Sequence, residues 1–419
     1  MTAEHLKSQV CDAIDSMKDE LLRLSHQIHQ DPELAFQEVN AAAALTAALD
    51  NAGLAPTRGA FGLDTAYATD FGNKTDAGVV SILSEYDALP GIGHACGHNI
   101  IATTGLGAAI ALSKLGGDLP GRVRYLGTPA EERGGGKEIM AQAGAFDGVD
   151  ASMMVHPSGL DIRGMPSIAN AMVEVEYHGA SAHAAAMPHK GVNALDALVL
   201  AYQSVAALRQ HIRPTERVHG IITKGGAAPN IVPDHVAAFF YVRAADAKRL
   251  SALKVRVQNC FEAGALASGA RLETRWSQVD YLEIKPNPPL EAAYEANAKV
   301  LGRNLIDPAT LPSGFAGSTD MGNISHRVPS IHPMISSAPP NVVIHNPEFA
   351  KWAASEKGDA AVLDGAKSLA MTAIDYLTDA PLRDAAKSDF AKTADVSSQA
   401  VGLAFDPEGV MDVGGCGCC

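Results

Sequence analysis

GVVSILSEYDALPGIGHACGHNIIATTGLGAAIALSKLG, residues 78–116, decides the fold. Its first part, GVVSILSEYD (78–87), is a short apolar run of the kind found in strands buried on both faces. Its last part, HNIIATTGLGAAIALSKLG (98–116), is long and rich in small residues and reads as a helix. Downstream, RVRYLGTPAEE (122–132) begins as a strand, a short helix follows around 136–143, and ASMMVHP (151–157) is another buried strand. This βαβαβ series predicts an α/β fold, an open, mostly parallel sheet flanked by helices. Upstream, Leu6, Val10, Ile14, Met17, Leu21, Leu24 and Ile28 recur every three or four residues, giving an opening amphipathic helix that the DPEL turn (31–34) ends.

After residue 170 the pattern changes. AMVEVEYHGA (171–180) alternates apolar and polar, as a strand with one solvated face does. A helix at about 193–211, strands near 218–224 and 235–243, a helix at 246–267 and a strand at 271–278 complete a βαββαβ order, which suits an inserted ferredoxin-like α+β domain. KPNPPL (285–290) marks the return to the first domain. The expected division is 1–170, 171–282 and 283–385, with 386–419 as a mobile tail ending in GGCGCC.

At 419 residues the chain exceeds one ordinary core, in keeping with two domains. No apolar run reaches the length needed to span a bilayer, and the N-terminus lacks the pattern of a secretory signal. The formal charge of −14 argues against a nucleic-acid partner. Half of the six cysteines (Cys416, Cys418 and Cys419) crowd the last four residues, which is no disulfide framework for a large domain. A reduced compartment, the cytoplasm, is expected.

Four segments carry chemistry. In GHACGHN (93–99), Cys96 and His98 follow a strand and precede a helix, where amides favour a thiolate; a buried thiol beside a polar histidine fits equally. In TPAEERGGG (128–136), adjacent acids cannot point the same way, so one can bind metal while the other serves as general base; helix capping by both is the plainer reading. His156 in MMVHP (153–157) and His345 in VVIHNPEF (342–349) follow apolar runs, where a histidine is also a common hydrogen-bonded core residue. Together the four deliver ligand-type side chains to strand–loop junctions, the edge at which open α/β sheets bind ligands.

DPELAFQE, EYDALPGIGHACGHN, TPAEERGGGK, HGASAHAAAMP, APNIVPD and IHNPEFA resemble the metallopeptidase family of aminoacylases, dipeptidases and carboxypeptidase G. HACGHN and PAEE are similar to its amidohydrolase branch, the hippurate, indoleacetyl-amino-acid and aminobenzoyl-glutamate hydrolases; EYDALP and IHNPEFA are most similar to the β-alanyl-lysine-type dipeptidases. The resemblance runs from about residue 25 to 375. It implies two divalent ions, Mn or Zn with Co or Ni as further candidates, held by Cys96, His98, Glu132, His156 and His345. It further implies Glu131 as the general base, with Asp87 supporting the metal ligands or capping its loop. The inserted domain would be a lid and dimerisation domain. Its His183 would stabilise the tetrahedral oxyanion, often in a partner's site, and Asn230 and Arg243 would hold the substrate's polar or carboxylate end. A small-molecule substrate and a homodimer or higher homo-oligomer follow.

Two positions depart from the branch. Glu85 and Asn99 stand where its better-known members have Asp, and the second change removes a carboxylate beside the expected ligands. Asp320, in GSTDMG, is a further expected pocket residue, and His94 is expected to be a surface or hydrogen-bonding residue. The expected activity is hydrolysis of an amide bond in an N-acyl amino acid, an aminobenzoyl-glutamate-like compound or a dipeptide. Deamination of an aromatic amine, and a silent metal- or partner-binding protein on the same fold, are the rival readings.

Overall fold

The computed structural model describes residues 1–73, 77–312 and 316–411. Its strands in chain order are β1 (Thr57–Arg58), β2 (Tyr67–Gly72), β3 (Val79–Ser84), β4 (Arg122–Gly127), β5 (Ala151–Met153), β6 (His156–Ser158), β7 (Ala169–His178), β8 (Arg217–Lys224), β9 (His235–Ala244), β10 (Arg271–Trp276), β11 (Ser330–Ile331) and β12 (Met334–Ser336). Two compact units emerge, Met1–Pro166 with Ile284–Ser398, and Ser167–Glu283 with the residues from Gln399 onward.

The first unit is built on a sheet of order β1-β2-β4-β3-β5-β11. β4, β3, β5 and β11 run parallel, while β1 and β2 form an antiparallel edge. That edge lacks the apolar run that betrays a buried strand, so the sequence pattern does not reveal it. The helix His98–Ser113 packs directly on β3, and its small residues are what make that possible. A Cβ at Gly105 would lie 2.3 Å from Ser84 Oγ and 2.7 Å from the Leu83 carbonyl oxygen.

The expected opening helix is two helices, Ala3–Ser16 and Lys18–Gln30, broken at Met17. The apolar spacing passes through the break unchanged, since Ile14, Met17 and Leu21 are all buried, and periodicity cannot register it. The expected strand at 151–157 is likewise split, with β6 pairing parallel to β12 instead of extending β5. The last long helix, Glu356–Thr378, buries Val362, Leu369 and Ile374 in the same core as Leu6, Val10 and Ile14.

The second unit is a sheet of order β10-β7-β9-β8, antiparallel throughout. The helices Ala194–Arg209 and Ala247–Ser268 bury Leu198, Val205, Leu250 and Phe261 against Val173, Val175, Phe240 and Val242 on one sheet face. Residues alternating with these point to the other face.

The segment beyond 385, expected as a mobile tail, instead continues as structure to residue 411. The helices Ala380–Ala391 and Ala394–Leu403 occupy it. Ala400 and Ala404 are buried with Ala247 and Leu282, and Gln278 and Trp276 exchange backbone hydrogen bonds with Val410. Small alanines make a weak periodic signal, which is why these helices are hard to see in the sequence. Cys416, Cys418 and Cys419 lie outside the described residues. No helix among the described residues is long and apolar enough to cross a membrane.

Candidate metal centre

The expected ligands come together beyond β3 and β4, with His156 delivered by the separate β12-β6 pair and His345 by a loop where the sequence suggests a strand end. β3 ends just before Glu85 and Asp87; β4 ends before the turn that carries Glu131 and Glu132; β6 begins on His156. Cys96 and His98 flank Gly97, which starts the helix with φ +81. A Cβ there would strike the Pro157 ring at 2.6 Å, so glycine is needed for the turn and for the close approach. Of the five non-glycine residues in the left-handed region, two lie at the site, Ala130 (φ 61) just before the glutamate pair and His345 (φ 61) itself. The first is held by Glu38, whose carboxylate accepts from the Ala130 amide at 2.8 Å and from Thr65 Oγ1 at 2.9 Å. The second is held by the His345 amide donating to the Ala95 carbonyl at 2.8 Å.

Three ligand clusters result, Cys96–His98–His156, Cys96–Glu132–His345 and Glu85–His98–Glu131, each with ligand atoms within 4.8 Å of one another, and the first two share Cys96. Cys96 Sγ lies 3.3 Å from His156 Nε2, and His345 Nε2 lies 3.5 Å from Glu132 Oε1. Asp87 spans the clusters, with Oδ1 3.0 Å from His98 Nδ1 and Oδ2 accepting from the Glu132 amide at 2.9 Å. His156 Nδ1 is tied to the Pro157 carbonyl at 2.7 Å, leaving Nε2 toward Cys96. Glu131 Oε2 is 3.8 Å from His98 Nε2, in the third cluster and outside the two that share Cys96.

The donor set fits borderline divalent ions, which take thiolate, imidazole and carboxylate together. An independent sign is that His98 Nε2 and Glu132 Oε1 are buried with no hydrogen-bond partner among the described residues. Such atoms are costly unless something satisfies them.

Electrostatics sort the acids. Burial pushes the Glu131 carboxyl well above its ordinary range, and the Glu85 and Glu132 charges push the same way. Glu132 is also raised by burial, but His345 and His98 outweigh that and bring it down to about 2. Cys96 is raised by burial and by Glu132, yet His156 and His98 bring it down to about 6, a thiolate at neutral pH. His345 rises to about 11 because Cys96 and Glu132 overcome its burial, and His98 and His156 are raised against burial, chiefly by the Cys96 thiolate.

His345 therefore holds a proton at neutral pH in the metal-free protein, and a divalent ion must displace it. Because binding displaces a proton that His345 still holds across this range, metal affinity should rise from pH about 6 to about 8, with protons released on binding. Below pH about 6 protonation of Cys96 weakens binding further. Calorimetry in buffers of different ionisation heat measures both, and an affinity flat across that range contradicts the ligand set.

Several buried groups carry no mark in the sequence. Lys137 is fully buried between Glu85 and Asp320, with Nζ 2.7 Å from Asp320 Oδ1 and paired to Glu85. Its amide also donates to Asp320 Oδ2 at 2.9 Å, which gives Asp320 a definite partner. His94, expected near the surface or hydrogen-bonded, is buried with neither ring nitrogen hydrogen-bonded among the described residues, and burial drives it down to about 3. His332 is similar, edge-on to His156 with ring centroids 5.5 Å apart. No spacing signal in the sequence marks either histidine.

Asn99 is turned away from the chemistry. Its Nδ2 donates to Ser25 Oγ at 2.9 Å and to the Ala353 carbonyl at 3.0 Å. An aspartate there would set a buried carboxylate against a carbonyl oxygen, so Asn99→Asp should destabilise the fold by about 1–3 kcal/mol, read by urea unfolding. Unchanged stability would place the side chain elsewhere.

His183, Asn230 and Arg243 belong to the second unit. His183 is exposed, and its Nδ1 accepts from the Ala185 and Ala186 amides at 3.3 and 3.1 Å, which puts the ring proton on Nε2. The Asn230 carbonyl accepts from the Ala184 amide at 3.1 Å. Arg243 lies over the Tyr241 ring at 5.3 Å.

The model of peptidase family M20/M25/M40 matches residues 82–370, and the chain belongs to that family. It is a hydrolase acting on peptide bonds. It is 40% identical over 399 residues to the Xaa-Arg dipeptidase of Mus musculus, covering 92% of each chain. It is 39% identical over 404 residues to the Xaa-Arg dipeptidase of Homo sapiens, again covering 92% of each chain. Among solved structures, a dinuclear metal-binding M20 peptidase of Bacillus subtilis shares the fold at a TM-score of 0.65 and 21% identity, over 87% of this chain and 99% of that one.

Proposed function

We propose that the chain cleaves the amide bond of a dipeptide, an N-acyl amino acid or an aminobenzoyl-glutamate-like compound. The reading rests above all on one observation, two ligand clusters sharing Cys96 with Glu131 beside them and outside both. Cys96, His98, Glu132, His156 and His345 would hold two divalent ions, Mn or Zn. When bound, these would supply Lewis acidity toward water and toward the scissile carbonyl. Glu131 takes the proton from the attacking water and returns it to the departing amine nitrogen. Burial beside Glu85 and Glu132 makes that carboxylate eager for a proton. Asp87 fixes the ring of His98 and the amide of Glu132 and so aims two ligands at once.

In this reading the second unit is a lid and dimerisation domain. His183 offers its Nε2–H to the tetrahedral oxyanion, a role its two amide contacts on Nδ1 prepare, and it can serve a partner's site. Asn230 and Arg243 hold the substrate's carboxylate or polar end. The protein works in the cytoplasm on small molecules, as a homodimer or higher homo-oligomer, away from nucleic acid and membranes; its formal charge of −14 suits this.

The test is a screen of protein reconstituted with Mn or Zn. Dipeptides ending in arginine or lysine head the series, because the mouse relative is named for Xaa-Arg. N-acyl amino acids, aminobenzoyl-glutamate and aromatic amines complete it. Release of a free acid and a free amine supports the reading. Ammonia from the aromatic amines with every amide intact would overturn it.

A further inference from the structure

A second, separate set of metal-type ligands sits on the open face of the second unit's sheet. His178 at the end of β7 and His235 at the start of β9 are directly paired across the strands, and Glu176 lies two residues from His178 on the same face. Glu176 Oε2 is 2.6 Å from His235 Nε2 and 3.6 Å from His178 Nε2, and the three ligand atoms lie within 4.8 Å of one another. The two imidazoles stack with centroids 4.7 Å apart and planes 6° apart. One oxygen thus faces two ring nitrogens and satisfies only one. His178 Nε2 is shielded from solvent without a hydrogen-bond partner among the described residues, though Glu273 Oε2 stands 3.7 Å away.

We propose that Glu176, His178 and His235 form a divalent-cation site, for zinc or a similar imidazole-seeking ion, distinct from the Cys96 centre. Two histidines and a glutamate with an open fourth position are a familiar zinc donor set. An ion in place of the shared proton would satisfy the orphaned His178 nitrogen as well. Turning the stacked rings toward a common point needs only rotation about their soft second torsion.

Two cations border the set, and they act differently. Arg275 pairs with the other oxygen of Glu176, and with Glu174 at 2.8 Å, which anchors the carboxylate and leaves Oε2 available. Lys224 Nζ lies 2.7 Å from His235 Nδ1. Donating there, it places the ring proton on Nε2, so an ion arriving at Nε2 must shift that proton to Nδ1, where the lysine can no longer donate. Lys224 is therefore an internal competitor for the site.

The experiment is zinc stoichiometry of the full chain, by equilibrium dialysis and elemental analysis at fixed free zinc, against His178→Ala/His235→Ala. Expected is one equivalent fewer in the double variant, with circular dichroism and amide-hydrolase activity unchanged, whatever the Cys96 centre retains. Lys224→Gln, which keeps all three ligands, should tighten that equivalent severalfold. Equal stoichiometry in wild type and double variant overturns the site. So does Lys224→Gln weakening the extra equivalent, the arm that decides if the double variant does not fold.

Discussion

Replacing Glu131 by glutamine is expected to leave metal content and folding intact and to cut turnover by ~10²–10⁴-fold. The carboxamide keeps the shape of the side chain but cannot take up the proton of the attacking water. Metal content should survive because Glu131 belongs to neither of the clusters that share Cys96. The effect should fall on kcat, since the proton moves during the chemical step. The parallel Glu132→Gln should lower metal content instead, because Glu132 Oε1 faces His345 Nε2. Steady-state kinetics with elemental analysis on the same samples separates the two. Wild-type kcat in Glu131→Gln would remove it from the chemistry.

Cys96→Ala should have the broadest consequence, because the sulfur belongs to both clusters. Removing a residue that merely orients a ligand typically costs ~10–100-fold in metal affinity, and losing a shared ligand should exceed that. Both equivalents should leave on dialysis against a chelator that the wild type withstands, and hydrolysis should fall to background. His345→Ala is the control, since it touches one cluster and leaves Cys96, His98 and His156 together. Cys96→Ala that retained two equivalents would show the thiol to be a core residue, the plainer reading its sequence context allows.

The parallel strands are legible because burial on both faces writes apolar runs, as at 78–87 and 151–157. The alternation at 171–180 is equally plain, because one face of that sheet meets helices and the other does not. What escapes is structure whose signal is weak or shared. β1 and β2 form an edge without an apolar run, and the break at Met17 keeps the helical spacing. The five candidate ligands can be read from type and position, since each follows or opens an element. Lys137, His94 and His332 cannot. A residue's environment comes from other segments, and Lys137 meets its partners 52 and 183 positions away.

The path of the chain bears on how the protein is made. The first unit is assembled from both ends of the sequence, with Val10 and Ile14 in one core with Leu369 and Ile374. His345 arrives 189 positions after His156 (345 − 156). On a ribosome the residues from Ser167 to Glu283 emerge while the opening half still lacks its closing helix. Domains tend to fold as units once their chain is available, and distant contacts come late. The second unit's sheet can thus form first, and on the proposed ligand set the nascent chain lacks a complete centre until most of it has been synthesised. If His345 is a ligand as proposed, a product truncated before residue 345 should not hydrolyse amides, and the order of the chain itself would delay activity until translation is nearly done.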